Sequence, residues 1–436
     1  MFATVFVIGC ERSPTSTDKV SSPGFSIVPG SGTWTTQASM PTGTAGAAFG
    51  VIGAKLYLAG GQIANNCAPV QTLEVYDPAA NSWTTGTPMP TARWQSAAGV
   101  VNGILYVMGG EGGGCPGPIF QTVEAYDPVA NTWATKAAMP TARRNFGVAA
   151  INGILYAVGG TYGGPELQTV EAYDPVANTW ATKAAMPTAR NILTVAVVDG
   201  ILYAIGGNNY AVGGLLTTVE AYDPVANTWT TRAPMPTARA GTVSEVVQGM
   251  IYVAGGISNT GYLNTLESYD PAANVWTTLT PMPTARAFPM SGVVNNAIYV
   301  VGGAIPGDIF LATNEAFTPP YNFTGFVAPV DNPPVVNVAK AGSAIPVKFS
   351  LHGNQGLNVL AAGSPSSRTI LCDNGAPQDD VTGTVTAGGS SLSYDPAADL
   401  YTYVWKTDKT WAGSCRELTV TLNDNSVHKA SFKLTK

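Results

Sequence analysis

One unit of 47 to 50 residues recurs six times along the chain, and no other feature limits its fold so strongly. The copies are so alike that residues 121–143 and 168–190 are the same string, QTVEAYDPVANTWATKAAMPTAR. One tryptophan per unit sets the register, at spacings of 49, 50, 47, 49 and 47 residues: Trp34, Trp83, Trp133, Trp180, Trp229 and Trp276. A period of this length is typical of arrays and propellers, in which each copy is one supersecondary unit.

Each unit has the pattern of four short strands with turn residues between them. In the second unit a small apolar stretch (94–101) meets Asn102-Gly103, a dipeptide that favours a tight hairpin turn. The next strand ends on a double glycine, where two chains can approach closely. A variable loop, the strand VEAYDP and a strand with the tryptophan follow, and no segment has helical periodicity. The sequence therefore predicts an all-β fold.

A double glycine, a Glu-x-Tyr segment and a later tryptophan in each copy resemble the kelch repeat, whose units are the blades of a β-propeller. The resemblance covers about residues 31–318. Trp34 belongs to a fourth strand that has no first three, and Glu315-Ala316-Phe317 is a third strand that has no fourth. We therefore expect a six-bladed propeller whose last blade is completed by the N-terminal strand, which removes an open sheet edge.

A proline-rich linker, residues 319–334, separates the repeats from a second module at 335–436. That module alternates in segments such as IPVKFSL, LYTYVWKT and ELTVTL, broken by Gly, Asn, Asp and Ser. About 100 residues of short strands with one cysteine pair predict an immunoglobulin-like β-sandwich. The stretch around Pro346-Val347-Lys348-Phe349 also resembles a bacterial module named for its Pro-x-Lys-Phe motif, and that resemblance implies a secreted protein.

The composition limits the partners of the chain. Charged residues make up 11% of it, and the formal net charge is −6. Nucleic acid is excluded as a partner because no basic stripe could neutralise phosphates. The scarcity of charge, with abundant Gly, Thr, Ala and Pro, favours an extracellular β-protein. No apolar run reaches the roughly 20 residues that a membrane span needs.

The N-terminal segment, residues 1–30, is expected to be a signal remnant and linker. Its apolar run ends at Cys10 and is followed by a polar, Ser/Thr-rich stretch. Val7-Ile8-Gly9-Cys10 resembles a bacterial lipobox, which implies that Cys10 becomes lipidated after cleavage. The run departs from that pattern because it is short and no Lys or Arg precedes it. An ordinary N-terminal segment with a chance cysteine is the alternative.

The other four cysteines form two candidate disulfides. Cys67 and Cys115 lie six and five residues after the double glycines of adjacent units, and equivalent loops of neighbouring blades share a face. Cys372 and Cys415 both lie in the C-terminal module. We expect one disulfide between blades and one within the module, in an oxidising compartment. Free buried thiols are the alternative.

The chain offers few residues for chemistry. Galactose oxidase and its relatives use a kelch propeller to hold copper, and a copper site of that type needs imidazole ligands. The two histidines, His352 and His428, both lie outside the repeats. No nucleophile elbow and no phosphate-binding loop occurs either. We therefore expect no metal, no cofactor and no catalytic residue.

One arginine ends the Thr-Ala-Arg segment of five units: Arg93, Arg143, Arg190, Arg239 and Arg286. In kelch propellers this position borders the mouth of the central channel, so the resemblance implies five guanidinium groups around one opening, able to bind carboxylates or sulfates. In the first unit Gly43 is expected to stand in place of the arginine. The alternative is structural: an arginine repeated in each blade bonds backbone carbonyls or pairs with an acid.

The glutamates at one equivalent position are expected to be scaffold contacts: Glu74, Glu124, Glu171, Glu220, Glu267 and Glu315. Variation concentrates instead in the loops after the double glycines. A uniform scaffold with one divergent loop face predicts a recognition surface. Aromatic side chains of these loops could stack on sugars or grip an extended peptide: Phe120, Tyr162, Tyr210, Tyr262 and Phe310. The alternative is that the loops pack on themselves.

These features predict a secreted or surface-tethered bacterial protein that binds a glycan or protein of the cell envelope or matrix and performs no chemistry. A membrane would be a partner only through the lipid anchor. Two alternatives stay open. One is a carbohydrate-active enzyme on acidic sugars, since sialidases and a kelch family that interconverts sialic acid anomers use propellers. The other is a structural subunit that self-assembles into an extracellular array.

Overall fold

The computed structural model describes residues 32–436, except positions 65–67, 115, 308, 352, 374, 379–381, 387–391 and 425. Six four-stranded antiparallel sheets form the blades of a propeller. In each blade the strands are named a to d in spatial order, and strand a comes first in the chain except where stated below. Strand a lines the channel, because the a strands of neighbouring blades contact one another around the ring.

Blades 1 to 3 consist of Ala48–Ile52, Lys55–Ala59, Leu73–Asp77 and Ser82–Thr85; Ala97–Val101, Ile104–Met108, Val123–Asp127 and Thr132–Lys136; and Gly147–Ile151, Ile154–Val158, Val170–Asp174 and Thr179–Lys183. Blades 4 to 6 consist of Thr194–Val198, Ile201–Ile205, Val219–Asp223 and Thr228–Arg232; Val243–Val247, Met250–Ala254, Leu266–Asp270 and Val275–Thr278; and Met290–Val294, Ala297–Val301, Asn314–Thr318 and Thr33–Thr36.

The last blade is closed by the N-terminal strand, as predicted. Thr33–Thr36 pairs antiparallel with Asn314–Thr318, and Trp34 lies opposite Phe317. Their rings are 5.1 Å apart. Blade 6 therefore has four strands like the other blades, and the edge of Asn314–Thr318 is covered by the N-terminal strand.

The tryptophan of strand d joins each blade to the one before it. Trp133 Nε1 donates to the carbonyl of Thr87 at 2.8 Å, and its ring packs on Tyr126 with the centroids 5.1 Å apart. The hydroxyl of Tyr126 donates to Asn131 Oδ1, which also accepts from the backbone N–H of Thr87. The tryptophan ladder is packing between blades, as expected from its regular spacing.

Two faces of the propeller follow from the strand directions. Strand a begins at the linker from the preceding blade, and strand b ends at the double glycine. Linkers and post-glycine loops therefore share one face, which we call the loop face; short two-residue hairpins extend it at Asn208–Asn209 with Gly214–Leu215, Ile257–Ser258 with Gly261–Tyr262, and Ala304–Ile305 with Ile309–Phe310. The a–b and c–d turns lie on the opposite face.

A closed ring of backbone hydrogen bonds surrounds the channel at the loop face. Six residues, one per linker, each donate an N–H to the carbonyl of the equivalent residue of the neighbouring linker, over 2.7 to 3.1 Å: Gly46, Gln95, Asn145, Ile192, Gly241 and Phe288. We call this ring the annulus. Every member has a left-handed φ between +52° and +65°, a conformation that is a steric outlier for a β-branched residue such as Ile192.

Residues 326–435 form a second module with two sheets of five strands. One contains Phe326–Val327, Ala344–Phe349, Leu400–Lys406, Val385–Thr386 and Ser393–Asp395; the other contains Val336–Lys340, Val427–Thr435, Cys415–Thr421, Ser366–Ile370 and Thr382–Gly383. The module thus includes Phe326–Val327, a strand within the segment 319–334 that was expected to be a linker. Buried side chains of both sheets, Val347 and Trp405 with Leu418 and Phe432, share one core. The edge strand Val336–Lys340 pairs parallel with Val427–Thr435. The assignment to the immunoglobulin-like class stays a prediction.

The module is cross-linked by one disulfide, Cys372–Cys415, as the sequence predicted. The proposed partners Cys67 and Cys115 lie outside the described residues, as does Cys10. Single-turn 3₁₀ segments occur at Tyr210–Val212 and Lys409–Trp411. In the part of the chain that the structure describes, no helix has the length and apolar character to cross a membrane.

Candidate binding site on the loop face

The five repeated arginines do not line the mouth of the channel. Each side chain is fully buried, with 0% exposure, and forms an ion pair with the glutamate of strand c in the following blade: Arg93 with Glu124, Arg143 with Glu171, Arg190 with Glu220, Arg239 with Glu267, and Arg286 with Glu315. The expectation of converging guanidinium groups is wrong, and the structural alternative is confirmed.

The hydrogen bonds of Arg143 explain this burial. Its Nη1 donates to the carbonyls of Gly159 and Thr169 at 3.0 and 3.2 Å, and its Nη2 lies 2.7 Å from Glu171. Its backbone carbonyl accepts from Gly110 of the blade before at 2.9 Å. Burial lowers the pKa of the arginine, and the charge of Glu171 opposes that shift. The residue joins two consecutive blades, and its guanidinium group is fully buried and out of reach of a ligand on the loop face.

The first unit departs from the others at a different residue from the one expected. Thr44 stands in the arginine position, because its carbonyl accepts from Gly303 at 2.8 Å as the carbonyl of Arg143 accepts from Gly110. Gly43 takes the place of the alanine before it. A Cβ on Gly43 would lie 2.2 Å from the carbonyl oxygen of Phe310, so glycine is needed there for a close approach of two chains.

The residue that follows each arginine position pairs with the post-glycine loop. These bridges join Ala45 to Gln62, Trp94 to Glu111, Arg144 to Thr161, Asn191 to Asn208, Ala240 to Ile257, and Ala287 to Ala304. In blades 1, 5 and 6 the linker residue is alanine. In blades 2 to 4 it is a tryptophan, an arginine and an asparagine, so the large polar side chains gather on one half of the loop face.

Contacts between loops tie this half of the face together. Arg144 pairs with Glu111 of the neighbouring loop, and Glu111 accepts from the backbone of Gly117 at 2.9 Å. Glu166 accepts from the backbone N–H of Tyr210 at 3.2 Å. We call this set the blade 2–4 rim: Trp94, Glu111, Arg144, Tyr162, Glu166, Asn191, Asn208 and Tyr210.

Several polar atoms of the rim are buried and have no hydrogen-bond partner among the described residues. They are Trp94 Nε1, Arg144 Nε, Asn191 Oδ1 and Asn208 Nδ2. Buried polar groups in folded proteins are nearly always paired with protein, ordered water or a ligand. This half of the face therefore has hydrogen-bond donors and acceptors that a polar ligand could pair with.

The five aromatic loop residues divide into two groups. Tyr162 and Tyr210 are 60% and 77% exposed and lie on adjacent loops of the rim. Phe120 is half-buried and packs over the guanidinium of Arg93, 5.3 Å from the ring centroid. Tyr262 and Phe310 are also half-buried, each within a two-residue hairpin. Two of the five thus present free ring surface, and the other three support the loops.

The channel behind the annulus is a separate space of about 360 Å³. It is lined mostly by Val, Ala and Gly of the a strands, with one carboxyl group, Glu245, among its lining residues. Ser291 Oγ donates to Glu245 Oε1 at 2.6 Å. Burial raises the pKa of Glu245 to about 7, and the hydrogen bond from Ser291 opposes the rise.

The comparisons with known proteins agree with this architecture. The family model of the KLHDC2/KLHL20/DRC7 Kelch-repeats domain matches residues 46–235 and 179–303, more than half of the chain. The chain belongs to the kelch-repeat family. No curated protein matches it. The solved structure of YjhT is similar over 64% of this chain and 95% of the other, with 18% identity and a TM-score of 0.56. That likeness shows the fold of the kelch propeller and nothing of its ligand.

Neither histidine belongs to the kelch repeats, which end at about residue 318. His428 lies in the second module, where its ring stacks on Phe323 with the centroids 3.6 Å apart. Burial lowers its pKa. His352 lies outside the described residues.

Sequence reasoning missed the polar members of the rim. A signal for them was available, since the residues after the arginine position, Trp94, Arg144 and Asn191, differ from unit to unit within a uniform repeat. The repeated arginines are a poorer signal, because a residue that recurs from blade to blade is better suited to a scaffold contact than to a single binding site.

Proposed function

We propose that this kelch protein is an extracellular, non-catalytic binding protein that recognises a glycan over the blade 2–4 rim. One observation carries the proposal: the exposed rings of Tyr162 and Tyr210 lie beside a group of polar side chains that contains unpaired atoms. Binding sites commonly combine aromatic surface with a few convergent polar groups that fix orientation.

A sugar matches both properties of the rim. Its C–H face can pack on a tyrosine ring, which gives a large rigid contact area at small entropic cost. Its hydroxyl groups both donate and accept, so they suit a guanidinium donor such as Arg144 and an amide such as Asn191. Because Arg144 is already neutralised by Glu111, a neutral glycan fits the rim better than a strongly acidic one.

The extracellular location is supported by the chemistry of the second module. Cys372–Cys415 closes a loop between residues 43 positions apart, and such cross-links persist in oxidising compartments. The low content of charged residues, 11%, agrees with a secreted β-protein.

Glycan-array binding of the full chain tests the proposal. We expect Tyr162→Ala combined with Tyr210→Ala to lower the affinity for the bound glycan at least tenfold. Val129→Ala combined with Val176→Ala is the matched control, since these exposed side chains belong to c–d turns of the opposite face and should leave binding unchanged. Equal loss in both double variants, or no glycan signal for the native chain, would contradict the proposal.

A second candidate, a carbohydrate-active enzyme on acidic sugars, is favoured by Glu245. A carboxyl group with a pKa of about 7 is suited to proton transfer near neutral pH. Proton NMR of sialic acid would detect faster exchange between its anomers in the presence of the protein. Turnover that Glu245→Gln abolishes while glycan binding persists would favour this candidate over the binding protein.

A further inference from the structure

In five blades an arginine supplies a positive charge to the same three acceptors. Arg239 is representative: its Nη1 donates to the carbonyls of Gly255 and Thr265, both at 2.9 Å, and its Nη2 to Glu267, also at 2.9 Å. The threonine two residues before the arginine donates to the other carboxylate oxygen, as Thr237 does at 2.7 Å. Each of these glutamates is thereby fully paired.

Blade 1 keeps the acceptors and lacks the arginine. Glu74 lies opposite Leu58 in the register, as Glu267 lies opposite Val253. The backbone N–H of Gly60 donates to the carbonyl of Thr72 at 2.9 Å, the equivalent of the contact between Gly255 and Thr265. The carbonyls of Gly60 and Thr72 therefore have the same backbone arrangement as in the other blades, and Glu74 occupies the same register position as the five other glutamates.

The residue in the arginine position cannot replace the missing charge. Thr44 retains the backbone contacts of that position, since its N–H donates to the carbonyl of Leu311 at 3.1 Å. Its hydroxyl donates to the carbonyl of Thr42 and not to Glu74. Within the described part of the chain, no side chain or backbone group forms a hydrogen bond or ion pair with Glu74, which is only 6% exposed.

Burying a carboxylate without a partner is costly, because the ion loses its water and gains no compensating charge. Burial is the one cause acting on the pKa of Glu74, which rises to about 7. In the five other blades an arginine offsets this cost. It supplies one positive charge and donates to the glutamate and to two backbone carbonyls. Among the described residues of blade 1, no group supplies a positive charge or a hydrogen-bond donor to Glu74.

We propose that blade 1 binds a monovalent cation in the place that an arginine guanidinium occupies in the other five blades. The ligands are the carboxylate of Glu74 and the carbonyl oxygens of Gly60 and Thr72. One carboxylate balances a single positive charge, and oxygen-only coordination suits hard cations. No group of three His, Cys, Asp or Glu residues lies together among the described residues, so the acid content expected of a tight Ca²⁺ site is missing.

Stability measurements on the full chain at pH 8 test this site. KCl, NaCl or guanidinium chloride in the low millimolar range would replace tetramethylammonium chloride at constant ionic strength, since tetramethylammonium is too bulky for the site. We expect the melting temperature of the native chain to rise saturably with at least one of the three cations, because a ligand that binds only the folded state stabilises it. A rise with K⁺ or Na⁺ would identify an alkali-metal site; a rise with guanidinium alone would identify a site for organic cations. Either result supports the proposal.

Three variants give the controls. Thr44→Arg should fill the site with the chain's own guanidinium and remove the saturable rise. Glu74→Gln, which keeps the shape of the side chain, should weaken the cation at least tenfold and covers the case in which Thr44→Arg fails to fold. Glu245→Gln removes a second carboxyl group with a pKa of about 7 and should leave the rise intact. The proposal is overturned if no cation stabilises the native chain, or if Glu74→Gln responds as strongly as the native chain does.

Discussion

Blades 1 and 3 have the same strands and registers, yet they solve the problem of a buried glutamate differently. In blade 3, Glu171 is paired with Arg143 at 2.7 Å and accepts from Thr141 at 2.6 Å. In blade 1, Glu74 is buried to a similar degree and has neither contact among the described residues. The backbone of a repeat can thus be conserved in shape while the electrostatics of one copy change. Such a copy is where a repeat protein can acquire a ligand.

The largest effect is expected from making blade 3 resemble blade 1. Arg143→Met would leave Glu171 buried without its partner, at a cost of about 3–5 kcal/mol in the free energy of unfolding. Urea denaturation at pH 8 measures this loss. The double variant Arg143→Met with Glu171→Gln is the control, and it should recover a large part of the loss because no buried charge remains. A single variant as stable as the native chain would show that the pair adds nothing.

The pH dependence of stability should distinguish the two glutamates next. The pKa of Glu74 is about 7 in the folded state, against 4.5 for a free side chain, so the folded state holds its proton more tightly. Its contribution is therefore present below pH 4.5 and is lost as the pH rises through 7, by about 3 kcal/mol. Unfolding curves from pH 4 to 8 in tetramethylammonium buffers measure this loss.

Glu74→Gln removes this titration and should reduce the decline in stability between pH 4.5 and 7. The decline should persist in Glu171→Gln, since Glu171 is paired. If the native chain and Glu74→Gln have parallel stability profiles, the burial of Glu74 has no thermodynamic consequence.

A smaller gain is expected from making blade 1 resemble blade 3. Thr44→Arg places a guanidinium beside Glu74, and hydrogen bonds between charged groups contribute about 2 kcal/mol. The variant should therefore be more stable than the native chain at pH 8, and its gain should shrink at pH 5, where Glu74 is protonated in the native chain. Val129→Arg places the same side chain on an exposed c–d turn of the opposite face and should give no gain.

The smallest effect concerns the annulus, where the six linkers also differ. Ile192 has a φ of +52° at the position that Gly46 and Gly241 occupy in other linkers. Ile192→Gly should be more stable than Ile192→Ala by about 1 kcal/mol, because only glycine adopts this conformation without strain. Elsewhere in a strand protein alanine is normally the better of the two. Thermal unfolding of the two variants compares them, and a more stable alanine variant would contradict the strain argument.

The repeat predicted the fold because its marks act locally. The Asn-Gly turns, double glycines and spaced tryptophans each specify one strand or contact, and Trp34 with Phe317 revealed the closure because each belonged to an incomplete unit. The pairing of Cys372 with Cys415 followed from their place in one small module.

The site was harder to predict because it depends on the depth of side chains, which sequence spacing does not give. Arg143 and Arg144 are neighbours of the same type. The first is fully buried in an ion pair within the scaffold, and the second is partly exposed on the loop face. Likewise, aligning MPTGT (40–44) with MPTAR (139–143) is enough to place Thr44 in the arginine position. The sequence does not show, however, that Glu74 is buried and has no partner among the described residues.

The pairing of the N-terminal strand, Thr33–Thr36, with Asn314–Thr318 of blade 6 also determines how the propeller would respond to mechanical load. Thr33 lies opposite Thr318, so the chain enters and leaves the propeller at the same end of an antiparallel pair. A force applied through the segments before Thr33 and after Thr318 would separate the two strands one hydrogen bond at a time, as a zipper opens, and would not shear all of them together. Tension between the two ends would therefore open blade 6 first. The five other sheets would bear the force only after that blade has opened.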